Sequence, residues 1–149
     1  MNKDDWLKLE NQLCFAVYAC SKEITRLYRP LLDELGLTYT QYVTLLALWE
    51  EDGVTVKELG SRLYLDSGTL TPLLKRLEQM ELIKRVRDSK DERQVRIRLT
   101  EQGTRLKEQA YDIPGRLFCR MGIEQEEAAE WRERLTALLQ TIHHMQTEE

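Results

Sequence analysis

The chain has 149 residues, a length that suits a single domain able to bury a sizeable core. With 42% hydrophobic and 32% charged residues, it is too apolar for a disordered chain and too interspersed with charge for a membrane protein. No apolar run approaches the ~18 residues of a spanning helix, and the start MNKDDWLKLE lacks a signal-peptide layout, so the expectation is a cytoplasmic chain. Three cysteines without CxxC spacing argue against a disulfide framework or a zinc knuckle, and the net charge of −4 runs against the basic footprint of a nucleic-acid protein.

From Leu9 to Leu31 apolar residues recur at steps of three and four, which predicts one long amphipathic helix over the first thirty or so residues, ended or kinked by Pro30. After Gly36, Thr38 with Gln41 is a capping-box signature opening the helix TQYVTLLALWE, which Gly53 stops. Thr55 with Glu58 repeats the signature and opens VKELGSRL, and LDSG follows as a turn. The next helix, TLTPLLKRLEQM, starts within 67–71, capped by Ser67 or by Thr71, the latter placing Pro72 in the first turn.

After Glu81 the period becomes alternating. QVRIRL places Val95, Ile97 and Leu99 on one face and Arg96 and Arg98 on the other, and LIKRVR alternates more loosely, so the two predict a β-hairpin over 83–99 with DSKDER as a protruding loop. Thr100 caps a helix that Pro114-Gly115 interrupts. Finally Ala128, Trp131, Leu135, Leu138, Ile142 and Met145 form a heptad-like seam.

Two helices joined by a tight turn and followed by a basic hairpin describe a mainly α winged helix-turn-helix. One domain over 1–149 is expected, with the DNA-binding module at about 36–114 and dimerisation helices at about 1–35 and 115–149. The charge is distributed to suit it. Between Lys75 and Arg98 nine Lys/Arg meet five Asp/Glu, so this window carries +4 and the remainder −8. The recognition helix offers Ser67, Thr69 and Thr71 to phosphates or base edges, with Lys75 and Arg76 one turn deeper; a simple helix cap is the alternative role for each hydroxyl. In the hairpin, Arg85, Lys90, Asp91 and Arg93 are the candidate DNA-facing residues. Arg93 suits a narrow minor groove, and Asp91 is placed to orient it by a salt bridge, with plain loop solvation as its other role. A dimer reads half-sites ~34–36 Å apart, so the expected partner besides a second copy is pseudopalindromic operator DNA.

At this level of detail the central module, with DER in the hairpin and LTEQG after it, resembles the MarR family, and the strings LENQLCFAVYACS, LGLTYTQYVTLLALWE and LYLDSGTLTPLLKRLE resemble its organic-hydroperoxide-sensing branch. That resemblance implies a dimeric winged-helix repressor, not an enzyme, whose sensing thiol is Cys14. Peroxide converts such a thiolate to sulfenic acid, which a second thiol can trap as a disulfide. The branch surrounds its thiol with tyrosines, which implies Tyr28 and Tyr39, with Tyr18 a weaker third; packing between helices is their alternative role. In its two-cysteine members a cysteine near the last helical region completes an intersubunit disulfide, a position that Cys119 matches, with structural packing as its alternative role; one-cysteine members instead respond through a small-molecule thiol or over-oxidation. Cys20, six residues from Cys14, is ~240° around a helix from it and is read as packing.

The alternative effector is a non-covalent phenolic or aromatic ligand held between dimerisation and DNA-binding helices. A thiol peroxidase built on Cys14 gives the hairpin no role. No cofactor or metal is expected: adjacent His143 and His144 diverge by about 100° on a helix, and no third ligand stands nearby in sequence.

Overall fold

The computed structural model describes residues 2–147, which fall in two compact units that divide between Tyr111 and Asp112. The first contains α1 (Leu13–Asp33), α2 (Tyr39–Glu50), α3 (Val56–Leu63), α4 (Ser67–Gln79), β1 (Ile83–Arg87), β2 (Val95–Leu99) and α5 (Glu101–Ala110); the second contains α6 (Ile113–Met121) and α7 (Gln125–Thr147). This is the mainly helical winged fold that the sequence predicts. No helix among the described residues is long and apolar enough to cross a membrane.

The long N-terminal helix is shorter than its periodicity suggests. Residues 3–7 and 9–11 are short 3-10 turns, and α1 begins only at Leu13. Side-chain amides supply the reason: Asn11 Nδ2 donates to the Asp5 carbonyl (2.7 Å) and Gln12 Nε2 to those of Trp6 (2.6 Å) and Lys8 (3.0 Å). Such bonds offer the backbone an alternative to the helical ladder. Farther on, α1 runs through Pro30 to Asp33 before it ends.

Both capping boxes form as expected. Thr38 and Gln41 exchange bonds of 2.9 and 3.4 Å at the start of α2, and Thr55 and Glu58 exchange 2.8 and 3.1 Å at the start of α3. At α4 the cap is Asp66 rather than Ser67 or Thr71: its Oδ1 accepts from the Thr69 backbone N–H at 2.8 Å, Ser67 is the first helical residue, and Pro72 lies in the second turn. Asp66 lies one residue ahead of Ser67 and is an equally good cap. Thr100 caps α5 (Gly103 N to Thr100 Oγ1, 3.0 Å), and Pro114 does more than interrupt, because it occupies the first turn of a new helix, α6.

Leu45, Leu48, Leu59, Leu70, Leu74 and Leu77 form the centre of the core with Ile83 and Ile97 from the hairpin. β1 and β2 pair antiparallel from Ile83↔Leu99 to Arg87↔Val95, so Ile97 enters the core between Arg96 and Arg98. Residues 53–55 add a short third edge: Gly53 N donates to the Ile97 carbonyl (3.0 Å), Ile97 N to the Val54 carbonyl (2.8 Å), and Thr55 bridges Arg96. Asp52 clips this edge in place, its Oδ1 accepting from the backbone N–H of both Gly53 and Leu99 at 2.9 Å.

Three helices end in the same reversal, a 6→1 bond and a 5→2 bond around one left-handed residue. At α1 that residue is Gly36 (φ 68°), but at α3 it is Tyr64 (φ 54°) and at α4 it is Glu81 (φ 60°). Both borders of α4 therefore carry a side chain where glycine is favoured. A left-handed non-glycine residue costs roughly 1–2 kcal/mol, and glycine returns part of that as unfolded-state entropy. Glu81→Gly is expected to stabilise the fold by about 0.5–1 kcal/mol, read as a higher urea midpoint at unchanged slope.

Candidate functional site

On α4, Leu70, Leu74 and Leu77 are buried, and at 100° per residue Thr69, Thr71, Lys75 and Arg76 occupy the opposite arc. All four are exposed, as is Ser67. The Asp66 carboxyl is held below the usual range, first by the Thr69 backbone N–H. The first turn of this arc thus sets the exposed Ser67 and Thr71 hydroxyls near a carboxylate that is already engaged by the helix it caps, through the backbone and the side chain of Thr69.

In the hairpin the candidate residues divide. Arg93 projects from the tip with 95% of its side chain exposed; its backbone N–H donates to Asp91 Oδ1 at 3.1 Å and its Nε lies 3.8 Å from the same oxygen. The two residues that the sequence reading pairs are thus neighbours at the tip. Lys90 is exposed, and its backbone N–H is bonded to Asp88 Oδ1 (2.9 Å). Arg85 differs from the rest: Nη2 meets Glu78 Oε1 at 3.0 Å, and both Nε (3.3 Å) and the backbone N–H (3.1 Å) meet Glu78 Oε2. Arg96, which the sequence left as one of several basic residues, ties Asp88 Oδ2 (2.8 Å) to the Gly53 carbonyl (2.8 Å). Asp88 is held below the ordinary carboxyl range, first by the Lys90 backbone N–H and then by Arg96.

Cys14 is the second residue of α1 and is exposed, as are Cys20 on the same helix and Cys119 on α6. Tyr18 follows Cys14 by one turn; its ring is exposed, 6.5 Å from that of Phe15, with Lys22 Nζ 5.3 Å from its centroid. Tyr28 and Tyr39 come together with ring centroids 5.0 Å apart, joined by a residue that the sequence reading missed, Tyr42, 5.7 Å from Tyr28 and 2% exposed. The spacing of Tyr39 and Tyr42, three apart on α2, was the available signal. Burial first, then the neighbouring phenols, pushes the Tyr28 hydroxyl far above its ordinary value, and burial raises Tyr39 and Tyr42 too. These phenols remain hydrogen-bond donors at neutral and moderately alkaline pH.

One distance decides how these groups can cooperate. Cys14 and Tyr28 lie on one continuous helix, fourteen residues apart, which at 1.5 Å per residue separates them by ~21 Å. No side chain spans that within a chain, so of the three tyrosines named with Cys14 only Tyr18 and Cys14 are neighbours in one copy. Among the described residues no group of three His, Cys, Asp or Glu gathers as a metal site.

Residues 26–110 match the family model described as transcriptional regulator SarA/Rot. The organic hydroperoxide resistance transcriptional regulator of Bacillus subtilis (strain 168) is 54% identical over 142 residues, covering 95% of this chain and 97% of that one. Among solved structures, AbfR of Staphylococcus epidermidis in its reduced, DNA-bound form is 38% identical with a TM-score of 0.80, over 97% of this chain and 99% of that one. In its disulfide form the TM-score is 0.63, over 96% and 95% of the two chains. These relatives are regulators of transcription rather than enzymes, and the chain belongs to the MarR/SarA-type winged-helix transcriptional regulators, in their organic-hydroperoxide-resistance branch.

Proposed function

We propose that this protein is a homodimeric repressor that holds a pseudopalindromic operator through α4 and the hairpin and releases it when an organic hydroperoxide oxidises Cys14. The carrying observation is that one chain combines an exposed α4–hairpin face, rich in hydroxyls and cations, with an exposed thiol at Cys14. Ser67, Thr69, Thr71, Lys75 and Arg76 would meet the major groove and its phosphates, and Lys90 and Arg93 the sugar-phosphate or minor groove, with Arg85 already engaged by Glu78.

Two copies are needed on physical grounds as well. Trp6, Leu9, Leu13 and Phe15 in the first unit and Trp131, Leu135, Ile142 and Met145 in the second are exposed in the single chain, and α7 has no buried residue at all. Exposed apolar faces of this kind mark association surfaces, which supports residues 1–35 and 115–149 as the dimerisation helices.

In the chemical step the Cys14 thiolate attacks the terminal peroxide oxygen. The S–O bond forms as the O–O bond breaks, and the alkoxide leaves as an alcohol after taking a proton. The Cys119 thiolate of the second copy then attacks the sulfenic sulfur: the S–S bond forms as the S–O bond breaks, and the hydroxide leaves as water after taking a proton. The closer likeness to reduced, DNA-bound AbfR than to its disulfide form supports reading the present conformation as the DNA-competent one.

The test uses a labelled duplex selected by the reduced protein from a random-sequence pool. One equivalent of organic hydroperoxide is expected to weaken wild-type binding and to produce a Cys14–Cys119 crosslinked dimer on non-reducing gels. Cys14→Ser should bind the duplex and fail to release it. Release of the duplex by an aromatic ligand from a cysteine-free variant would replace the redox reading with a non-covalent one.

A further inference from the structure

The hairpin is braced from two sides, at mid-strand through Arg85 and at the loop end of the strands through Arg96 and Asp88. On one side Arg96 joins Asp88 to the Gly53 carbonyl. On the other, Glu78 in the last turn of α4 takes Arg85 of β1 with both carboxylate oxygens, through Nε, Nη2 and the backbone N–H at 3.0–3.3 Å. Arg85 shares the strand face of Ile83, so the side of β1 that enters the core at one end grips the recognition helix farther along. Between them the chain turns within Met80, Glu81 and Leu82, with Leu82 N bonded to the Leu77 carbonyl.

We propose that Glu78 is a positioning residue for DNA recognition: by fixing Arg85 in a two-pronged ion pair it sets the angle of the hairpin against α4 and so delivers Arg93 to the groove. This rests on the DNA-binding reading above. Both side chains are more than a third exposed, where an ion pair adds little to stability, yet the fork-to-fork geometry defines an orientation. The lever is long. Five residues of strand and loop beyond Arg85 reach ~17 Å, so a tilt of about 10° at Arg85 moves the tip ~3 Å, half the ~6 Å width of a minor groove. The Glu78 carboxyl lies below its ordinary range because of the Arg85 side-chain and backbone hydrogen bonds, so the brace is charged at neutral pH.

The sign of one substitution separates positioning from simple electrostatics. Glu78→Gln removes a negative charge from the DNA-facing module and frees the Arg85 guanidinium; by charge alone, binding should tighten and its salt dependence should steepen by about one phosphate contact. A positioning role requires the opposite. With the reduced full-length dimer and the same selected duplex, Glu78→Gln is expected to bind about tenfold more weakly, with a shallower dependence on salt. In an Arg93→Ala background it should cost nothing further, and the charge-swapped Glu78→Arg/Arg85→Glu protein should recover most of the loss. Thermal melts of Glu78→Gln should stay within a few degrees of wild type. Tighter binding with a steeper salt slope, or an equal loss with and without Arg93, overturns the role of Glu78 while leaving DNA binding intact. Failure of the reduced wild-type protein to select any duplex overturns both readings together.

Discussion

Gly103→Ala is expected to destabilise the protein by about 2–4 kcal/mol, opposite in sign to the ~1 kcal/mol that alanine usually adds over glycine within a helix. Gly103 lies in the first turn of α5, pressed against the chain entering β1. A Cβ there would stand 2.1 Å from the Leu82 carbonyl oxygen and 3.1 Å from its carbon, and both are backbone atoms that cannot rotate away. The neighbouring bonds prevent a simple shift: Leu82 O accepts from Thr100 N (3.0 Å), Thr100 Oγ1 donates to Glu81 O (2.6 Å), and Gly103 O accepts from Trp49 Nε1 of α2 (2.9 Å). Urea unfolding monitored at Trp49 should show a lower midpoint with little change of slope. Gly115 in α6 has nothing within 4 Å of the same imagined carbon, so Gly115→Ala is the matched control and should be neutral or slightly stabilising. A neutral Gly103→Ala would mean that α5 does not dock on the hairpin root in solution.

That contact marks a general boundary in what the sequence discloses. Features whose cause lies within a few residues were legible: the boxes at Thr38–Gln41 and Thr55–Glu58, the cap at Thr100, and the hairpin over 83–99 all follow from short-range rules. Where two local solutions were close in energy the reading slipped. Asp66 and Ser67 are adjacent and equally competent caps, and the amides of Asn11 and Gln12 divert residues 3–11 from a helix whose apolar spacing remains helical. The tertiary pairings were beyond reach. Nine cations between Lys75 and Arg98 look alike in a count, and only the fold separates Arg93, projecting from the tip, from Arg85 and Arg96, which brace the strands. The candidate site shows the same limit. Tyr28 and Tyr39 could be named beside Cys14 by resemblance, but their meeting with Tyr42, and the ~21 Å that separates Tyr28 from Cys14 along α1, are properties of helices in space.

Mixed dimers turn that separation into a second large effect. Because Tyr28 cannot reach Cys14 of its own helix, the proposed sensing site is complete only when the thiol of one copy meets the tyrosines of the other. In a heterodimer of Cys14→Ser and Tyr28→Phe chains, isolated through two different tags, one such site survives: Cys14 of the second chain with Tyr28 of the first. In a heterodimer of wild type with a chain carrying both substitutions, no complete site remains, although the dimer contains the same residues. A phenol donating to the attacking sulfur contributes on the order of 1–1.5 kcal/mol, or about tenfold in rate. Sulfenate formation under limiting hydroperoxide should therefore keep a wild-type-like phase at half amplitude in the first dimer. In the second it should slow by about tenfold, because the remaining Cys14 faces phenylalanine. Burial keeps Tyr28 protonated, so the contrast should persist from neutral to moderately alkaline pH. Equal rates in the two heterodimers would leave Tyr18, one turn from Cys14 on the same helix, as the remaining tyrosine of the three within reach of the thiol.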